Sequence, residues 1–355
     1  MTPEVFVLNY NPRFTGVSAT ATRVAAAHAG RYRLALVGHP LPGVADPISR
    51  AQARRLSRTP PKGRPFAIWH VRRDPEMQAG IWARDVLRLP IRLVFTSAAK
   101  HRHSWWPRWL IGRMDAVIAT SPEAASFFPG VAATVSHGAD IDHFAPAPDR
   151  AAAWAALPYG GRRGVAIIGR LRPEKGTDVF VEAMIRVARE IPDVTALCVG
   201  QVKDADRAFV EGLKARVAEA GLSDRILFPG FLDHEAHRAL LPALSLVCNV
   251  ARYEPFGIVP VEGMAAGTPF VCSDTGYYRE FSHGGRAGLI VPPGDAGAAA
   301  EAIAGLLKDP DRIEAMGREA RALAVAEHSI GREADGIAEV YERLWAGEDL
   351  ALHRG

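Results

Sequence analysis

Apolar and polar positions follow one another along this chain in a repeating order. A short apolar run is followed by a loop carrying glycine or proline, then by a stretch whose apolar residues fall at helical spacing. In the first part the apolar runs cover residues 4–8, 32–37, 66–71, 91–95, 116–119 and 133–135, and each reads as a strand. In the second they cover 164–168, 195–200, 226–228, 244–249, 270–272 and 287–291. Helical spacing fills 18–28, 78–87 and 109–113, then a stretch ending near 190, then 207–220 and 234–241. A further helix starts at about 258, one ends near 307, and two lie between 310 and 347. Strands separated by helices require crossover connections, so the pattern predicts an α/β chain built on parallel sheets. Residues 40–65 hold prolines and arginines without periodicity and read as a basic loop region.

An alanine- and proline-rich stretch running to about Arg163 interrupts this alternation and is the natural domain boundary. We therefore expect one Rossmann-like domain over residues 1–150, a second over 163–330, and a last helix at about 330–355 packing back on the first. A length of 355 residues suits two domains, and 48% hydrophobic with 23% charged residues suits ordinary globular cores. No apolar run approaches the roughly 20 residues that span a bilayer. The chain leads directly into its first strand without the basic segment and cleavage site of a secretory signal. Cys198, Cys248 and Cys272 each lie in an apolar run, at neither paired nor metal-ligand spacing, so reduced thiols and a cytoplasmic location are expected.

Charge adds an asymmetry. Residues 1–150 carry 20 basic and 10 acidic side chains, the remainder 23 and 29. Much of the positive charge falls between Arg50 and Arg113, interleaved with Trp82, Trp105, Trp106 and Trp109. That combination suits an anionic membrane surface or an acidic substrate, and no nucleic-acid motif accompanies it. An arginine-rich surface over tryptophans buried in the core would give the same composition.

Three loops carry candidate chemistry. Gly16 opens the first helix, but the Gly-x-Gly-x-x-Gly fingerprint is absent, which argues against a nicotinamide enzyme. Arg170 and Lys175 flank a glycine-containing turn between a buried strand and a helix, a natural diphosphate site. Glu254-Pro255-Phe256-Gly257 cannot continue a helix, whereas Pro260 fits a first helical turn. The amides of Gly257, Ile258 and Val259 then point out of a helix N-terminus towards an anionic group, and Glu262 lies about one turn deeper, suited to neutral hydroxyls. Gly267-Thr268-Pro269 stops that helix before the strand at 270–272. His70 lies at the end of the third strand and the cluster Lys100-His101-Arg102-His103 beyond the fourth, where open α/β sheets place reactive groups.

The stretch from Glu254 to Glu262, with Gly263-Met-Ala-Ala-Gly-Thr-Pro269 after it, resembles the Glu-x7-Glu signature of the family 4 retaining glycosyltransferases. Gly169-Arg170-Leu171 and Glu174-Lys175-Gly176 resemble a second motif of that family, and Ser136-His137-Gly138-Ala139-Asp140 a third, with His137 in place of the usual Asn. Gly200-Gln201 and Asp274–Glu280 depart from the family pattern, the latter placing the bulk of Tyr277 and Tyr278 near an acceptor or sugar pocket. The resemblance implies the GT-B fold, two Rossmann-like domains facing across a cleft. It implies a metal-independent hexosyltransferase without cofactor, in which Arg170 and Lys175 hold the donor diphosphate and Glu254 the sugar hydroxyls. Glu262 would hold the ribose diol, with Gly257, Ile258, Val259, Phe256 and Gly16 completing the donor site and His103, preferred over His101, reaching the donor sugar. Asp140-Ile141-Asp142 and Asp204-Ala205-Asp206 look like Asp-x-Asp metal motifs but fall where this fold has no use for them.

Residues 66–145 further resemble bacterial lipopolysaccharide-core mannosyltransferases, which implies GDP-mannose as donor, a glycolipid or lipopolysaccharide-core acceptor, and work at the cytoplasmic face of the inner membrane. Two other readings stay open at this point, a UDP-sugar 2-epimerase of the same fold and a degenerate sugar-nucleotide-binding scaffold.

Overall fold

The computed structural model describes residues 2–13, 15–99, 103–254 and 256–352. The chain divides into two compact units, Met1–Gly138 with Ile330–Gly355, and Ala139–Ser329.

The first unit is built on six parallel strands: β1 (Val5–Asn9), β2 (Leu34–Gly38), β3 (Ala67–Val71), β4 (Ile91–Ser97), β5 (Ala116–Ala119) and β6 (Ala133–Thr134). Their order is β2-β1-β3-β4-β5-β6. Successive residues of β1 serve opposite faces, as strand geometry requires. Val5 and Val7 pack with Ala21, Val24 and Ala25 of the helix Gly16–His28 and with Ile337, Tyr341 and Leu344 of the helix Ile330–Trp345. Phe6 and Leu8 pack on the other side with Met77, Ile81, Leu110 and Ile111. The last helix joins this unit because Ile337, Tyr341, Leu344 and Trp345 form one apolar stripe at helical spacing.

Three expectations change here. The supposed loop at 40–65 contains the helix Arg50–Leu56, closed by a capping box between Ser49 and Gln52; only Ala53 of it is buried, so no apolar stripe announced it. The helix expected over 78–87 starts at Asp74, behind the helix-starting Pro75, and continues as the wide turn Trp82–Val86. The helix expected over 109–113 is Trp105–Ile111.

The second unit holds β7 (Arg163–Ile168), β8 (Val194–Val199), β9 (Ile226–Gly230), β10 (Leu246–Asn249), β11 (Phe270–Ser273) and β12 (Gly288–Val291), all parallel, in the order β12-β11-β10-β7-β8-β9. Helices Thr177–Glu190 and Ala296–Leu307 cover one face. Helices His234–Ala243 and Ile258–Ala265 cover the other, and Pro310–Glu327 joins both layers, with Ile313 and Met316 in the first core and Ala320, Leu323 and Ala324 in the second. The stretch read as a linker packs into this unit: Trp154, on the helix Arg150–Ala155, lies so close to β7 that a side chain at Gly164 would meet its ring at 2.1 Å. Arg150 fastens the same helix to the carbonyls of Leu244, at 2.6 Å, and Gly267, at 2.8 Å.

Chain order reverses between β1 and β3 in the first sheet and between β7 and β10 in the second. In open α/β sheets, ligands bind beyond the strand ends at such reversals. Among the described residues no helix is long and apolar enough to cross a membrane.

Candidate active site

The reversal in the second sheet lies between the two loops that the sequence singled out. The loop after β7 runs from Gly169 through the turn Pro173–Lys175 to Gly176, which adopts φ 70 at the start of the helix Thr177–Glu190. A Cβ on Gly176 would stand 1.9 Å from the Val250 carbonyl, so glycine there allows the loops after β7 and β10 to touch. The Glu174 carbonyl accepts hydrogen bonds from the amides of Arg252, at 3.0 Å, and Tyr253, at 3.3 Å. Arg252 grips both Asp178 oxygens, at 2.7 and 2.6 Å, and donates to the Pro173 carbonyl at 2.7 Å. These contacts fix the geometry of the pair that matters: the Lys175 ammonium donates directly to the Glu254 carboxylate. Glu254 is buried and Lys175 mostly so, whereas Arg170 is exposed and forms no hydrogen bond or ion pair with the described residues.

Glu254 is supported from below. Gly257 adopts φ 87 and precedes the helix Ile258–Ala265; a Cβ there would lie 2.0 Å from Cε1 of Tyr278. Tyr278 is fully buried, and burial, then the neighbouring Glu254 carboxylate, pushes its phenol pKa well above the ordinary value. Tyr277 packs its ring against Phe256, at 5.5 Å between centroids, and both pack on Phe281. The two tyrosines, expected to bring bulk near an acceptor or sugar pocket, are buried beneath the Glu254 loop. Glu262 is buried on the first turns of the helix, with Nε2 of His237 4.0 Å from its carboxylate. Burial lowers the pKa of His237, an effect that Glu262 partly opposes.

The Gly200-Gln201 departure also acquires a role. A side chain at Gly200 would meet the Gly169 carbonyl at 1.6 Å, and the Gln201 carbonyl accepts from the Leu171 amide at 3.1 Å. This segment is the backing of the Arg170 loop.

In the first unit, Gly16 is the first residue of its helix, capped by Thr15, with open space where a side chain would go. Arg73 gathers the surrounding loop, donating to Asn9 Oδ1 at 3.1 Å, Thr15 Oγ1 at 3.2 Å, Ser18 Oγ at 3.0 Å and Glu76 at 3.1 Å. His103 is half-buried and stacks on Phe128, 5.8 Å between centroids. Lys100, His101 and Arg102 lie outside the described residues, as does Pro255. His70 is a core residue, its ring nitrogens paired with the hydroxyls of Tyr341 at 2.5 Å and Thr96 at 2.7 Å. His137 bonds Glu333 at 2.8 Å and so anchors its segment to the last helix. The acidic triplets are spent locally: Asp140 accepts from the amides of Asp142 and His143, and Asp204 pairs with Arg207.

The structure therefore brings Lys175 and Glu254 together and lays their two loops against each other. Sequence reasoning missed His237 and Arg73. The first sits in a helix with no motif, and the second is a single arginine among many. A cavity of about 620 Å³ lies elsewhere in the second unit, around Pro146–Arg150 and Arg318. Arg150 and Arg321 there are held by backbone carbonyls.

Residues 152–323 match the family model of the group 1 glycosyl transferases. The chain is 38% identical, over 96% of its length and 97% of the relative's, to the lipopolysaccharide core biosynthesis mannosyltransferase LpsB of Rhizobium meliloti. It is 37% identical to the corresponding enzyme LpcC of Rhizobium leguminosarum bv. viciae, over 96% of each chain. Among solved structures, Anabaena Alr3699/HepE in complex with UDP and glucose superposes with a TM-score of 0.78 at 20% identity, over 95% of this chain and 99% of that one. The two parallel six-stranded α/β units are those of the GT-B fold. The 2-epimerase and scaffold readings find no support among these relatives.

Proposed function

This chain belongs to the group 1 glycosyl transferases, and from that membership we propose that it transfers mannose from GDP-mannose, with retention, to a lipopolysaccharide-core acceptor. The donor sugar and acceptor class come from the two full-length relatives, whose names describe lipopolysaccharide-core mannosyltransferases. The observation that carries the site assignment is the Lys175–Glu254 pair at the strand-order reversal, beside an unengaged Arg170.

In the proposed reaction Arg170 and Lys175 take the diphosphate, helped by the first amides of the helix Ile258–Ala265. As the anomeric bond breaks, charge builds on the leaving oxygen, and these groups stabilise it without a divalent ion. Glu254, released from Lys175 by the incoming phosphates, accepts from the sugar hydroxyls. Glu262, with His237 beside it, accepts from the ribose diol. The acceptor hydroxyl attacks the face from which the diphosphate leaves and passes its proton to the departing phosphate oxygen. The enzyme works in the cytoplasm at the inner face of the membrane that carries its acceptor.

Nucleotide release from a panel of GDP-, UDP- and ADP-sugars tests the donor. GDP-mannose alone should turn over; turnover of UDP-sugars only would reject it. Arg170→Ala is the cleanest site variant, because its side chain supports nothing else. It should lower transfer by about 10²-fold while stability stays within about 0.5 kcal/mol. Unchanged transfer would remove Arg170 from the site.

A further inference from the structure

Away from the donor loops, three potential ligand side chains converge where two helices of the second unit end. His283 follows the helix Tyr278–Ser282, Glu327 closes the helix Pro310–Glu327, and His328 is the next residue. One ligand atom from each lies within 4.8 Å of the other two, and His283 Nε2 stands 3.5 Å from the Glu327 carboxylate. Around a tetrahedral ion bound at about 2.0–2.1 Å, neighbouring ligand atoms are roughly 3.4 Å apart. The His283–Glu327 spacing already has that value. Glu327 is half exposed, so rotation of its side chain can bring its carboxylate towards His328, and the two imidazoles offer nitrogens within 4.8 Å of each other.

Three features set this cluster apart from a surface ion pair. His283 has φ 46, and only it and Arg88 among the described non-glycine residues adopt a positive φ. The left-handed conformation is disfavoured for a side-chain-bearing residue, so the backbone holds this imidazole at a cost. Both helices direct their C-terminal ends here, where the backbone carbonyls favour a cation. His328 is fixed in place: its ring nitrogens are shielded from solvent and its ring meets Phe281 edge-on at 5.1 Å.

We propose that His283, Glu327 and His328 form a binding site for a zinc-class divalent ion, with water completing the coordination. Two imidazoles and one carboxylate suit zinc, cobalt(II) or nickel(II) and not magnesium or calcium, which take oxygen ligands. The ion is structural and takes no part in transfer. Phe281, which touches His328, also packs on Phe256 and Tyr277, so the ion clasps together the two helix ends that brace the donor loop from behind.

The test uses the full-length, tag-free protein after chelator treatment. Cobalt(II) titration followed by visible absorption should saturate at one equivalent and be reversed by zinc, and zinc should raise the thermal midpoint while magnesium does not. His283→Ala should abolish the cobalt spectrum and the zinc-dependent shift, and Glu327→Gln should weaken both. His328→Ala can disturb packing on Phe281, so the two more accessible ligands carry the test. Absence of saturable binding, or one-equivalent binding unchanged in both His283→Ala and Glu327→Gln, would overturn the site. Neither readout depends on transfer activity, so the donor assignment stands or falls separately.

Discussion

Lys175 and Glu254 neutralise one another across two loops, so neither charge is left alone in a largely buried place. Removing one partner of such a pair strands the other, which costs about 3–5 kcal/mol in a buried setting. Gly257 is the residue on which this arrangement leans. Its φ of 87 excludes most side chains, and the Tyr278 ring fills the space a Cβ would take. Gly257→Ala should therefore cost on the order of 1–3 kcal/mol, visible as a lower denaturation midpoint, and should weaken donor binding because Glu254 and the helix start shift together. Wild-type stability with wild-type donor affinity would show that the loop has room. At this scale the motifs singled out Lys175 and Glu254 in two separate loops, and the structure brings these two side chains into contact. That Tyr277 and Tyr278 are buried beneath the Glu254 loop was not legible, because burial under a loop and exposure beside it leave the same trace in a one-dimensional pattern.

At the scale of elements, the helix Ile330–Trp345 is held to its unit by two histidines as well as by its apolar stripe. Nε2 of His28 donates to the Ala334 carbonyl at 2.8 Å, and His70 pairs with Tyr341. Burial lowers the pKa of both, that of His70 well below 6.5, and nearby cations, Arg72 among them, add to the effect. The folded state thus binds protons less readily than the unfolded chain. Both groups are neutral in either state above pH 6.5; below it the unfolded chain protonates first, and stability falls towards the depressed folded values. Each histidine contributes a slope of at most about 1.4 kcal/mol per pH unit. The midpoint for thermal unfolding of the full chain should drop between pH 6.5 and 5.5, and a His28→Gln, His70→Gln double variant should flatten that slope. An unchanged slope would assign the dependence to other groups. Strands were legible because they are apolar on both faces, which only a sheet covered on both sides demands. The helix Arg50–Leu56 was not, since a surface helix held by its cap and one buried alanine carries no period.

Over the whole molecule, the uneven charge found in the sequence has a structural counterpart in the first unit. Of its tryptophans, Trp69 and Trp345 are buried, while Trp82, Trp105, Trp106 and Trp109 are exposed, Trp105 by 74%. The composition left core and surface open, because a tryptophan beside arginines fits either; the exposed four settle it. Val86 and Leu87 extend the same surface, and the Arg113–Asp85 pair, at 2.5 Å, ties the Trp109 helix to the turn after Trp82. Arg113 lies over the Trp109 ring and Arg54 over Trp82. Aromatic rings with cations beside them suit the headgroup layer of an anionic bilayer, where each basic residue near the surface adds about 1 kcal/mol at low salt. We propose this face as the means by which the enzyme meets a lipid-borne acceptor. Burying even half of one indole removes roughly 80 Å² of apolar surface from water, worth about 2 kcal/mol. A Trp105→Ser, Trp106→Ser variant should therefore co-sediment with phosphatidylglycerol-containing vesicles at least about tenfold less well, the equivalent of about 1.4 kcal/mol. Its turnover of a water-soluble acceptor should stay intact, because neither residue belongs to the donor loops. Equal loss of soluble turnover and vesicle binding would mean the helix supports the fold, and vesicle binding unchanged by the substitutions would move the docking face elsewhere.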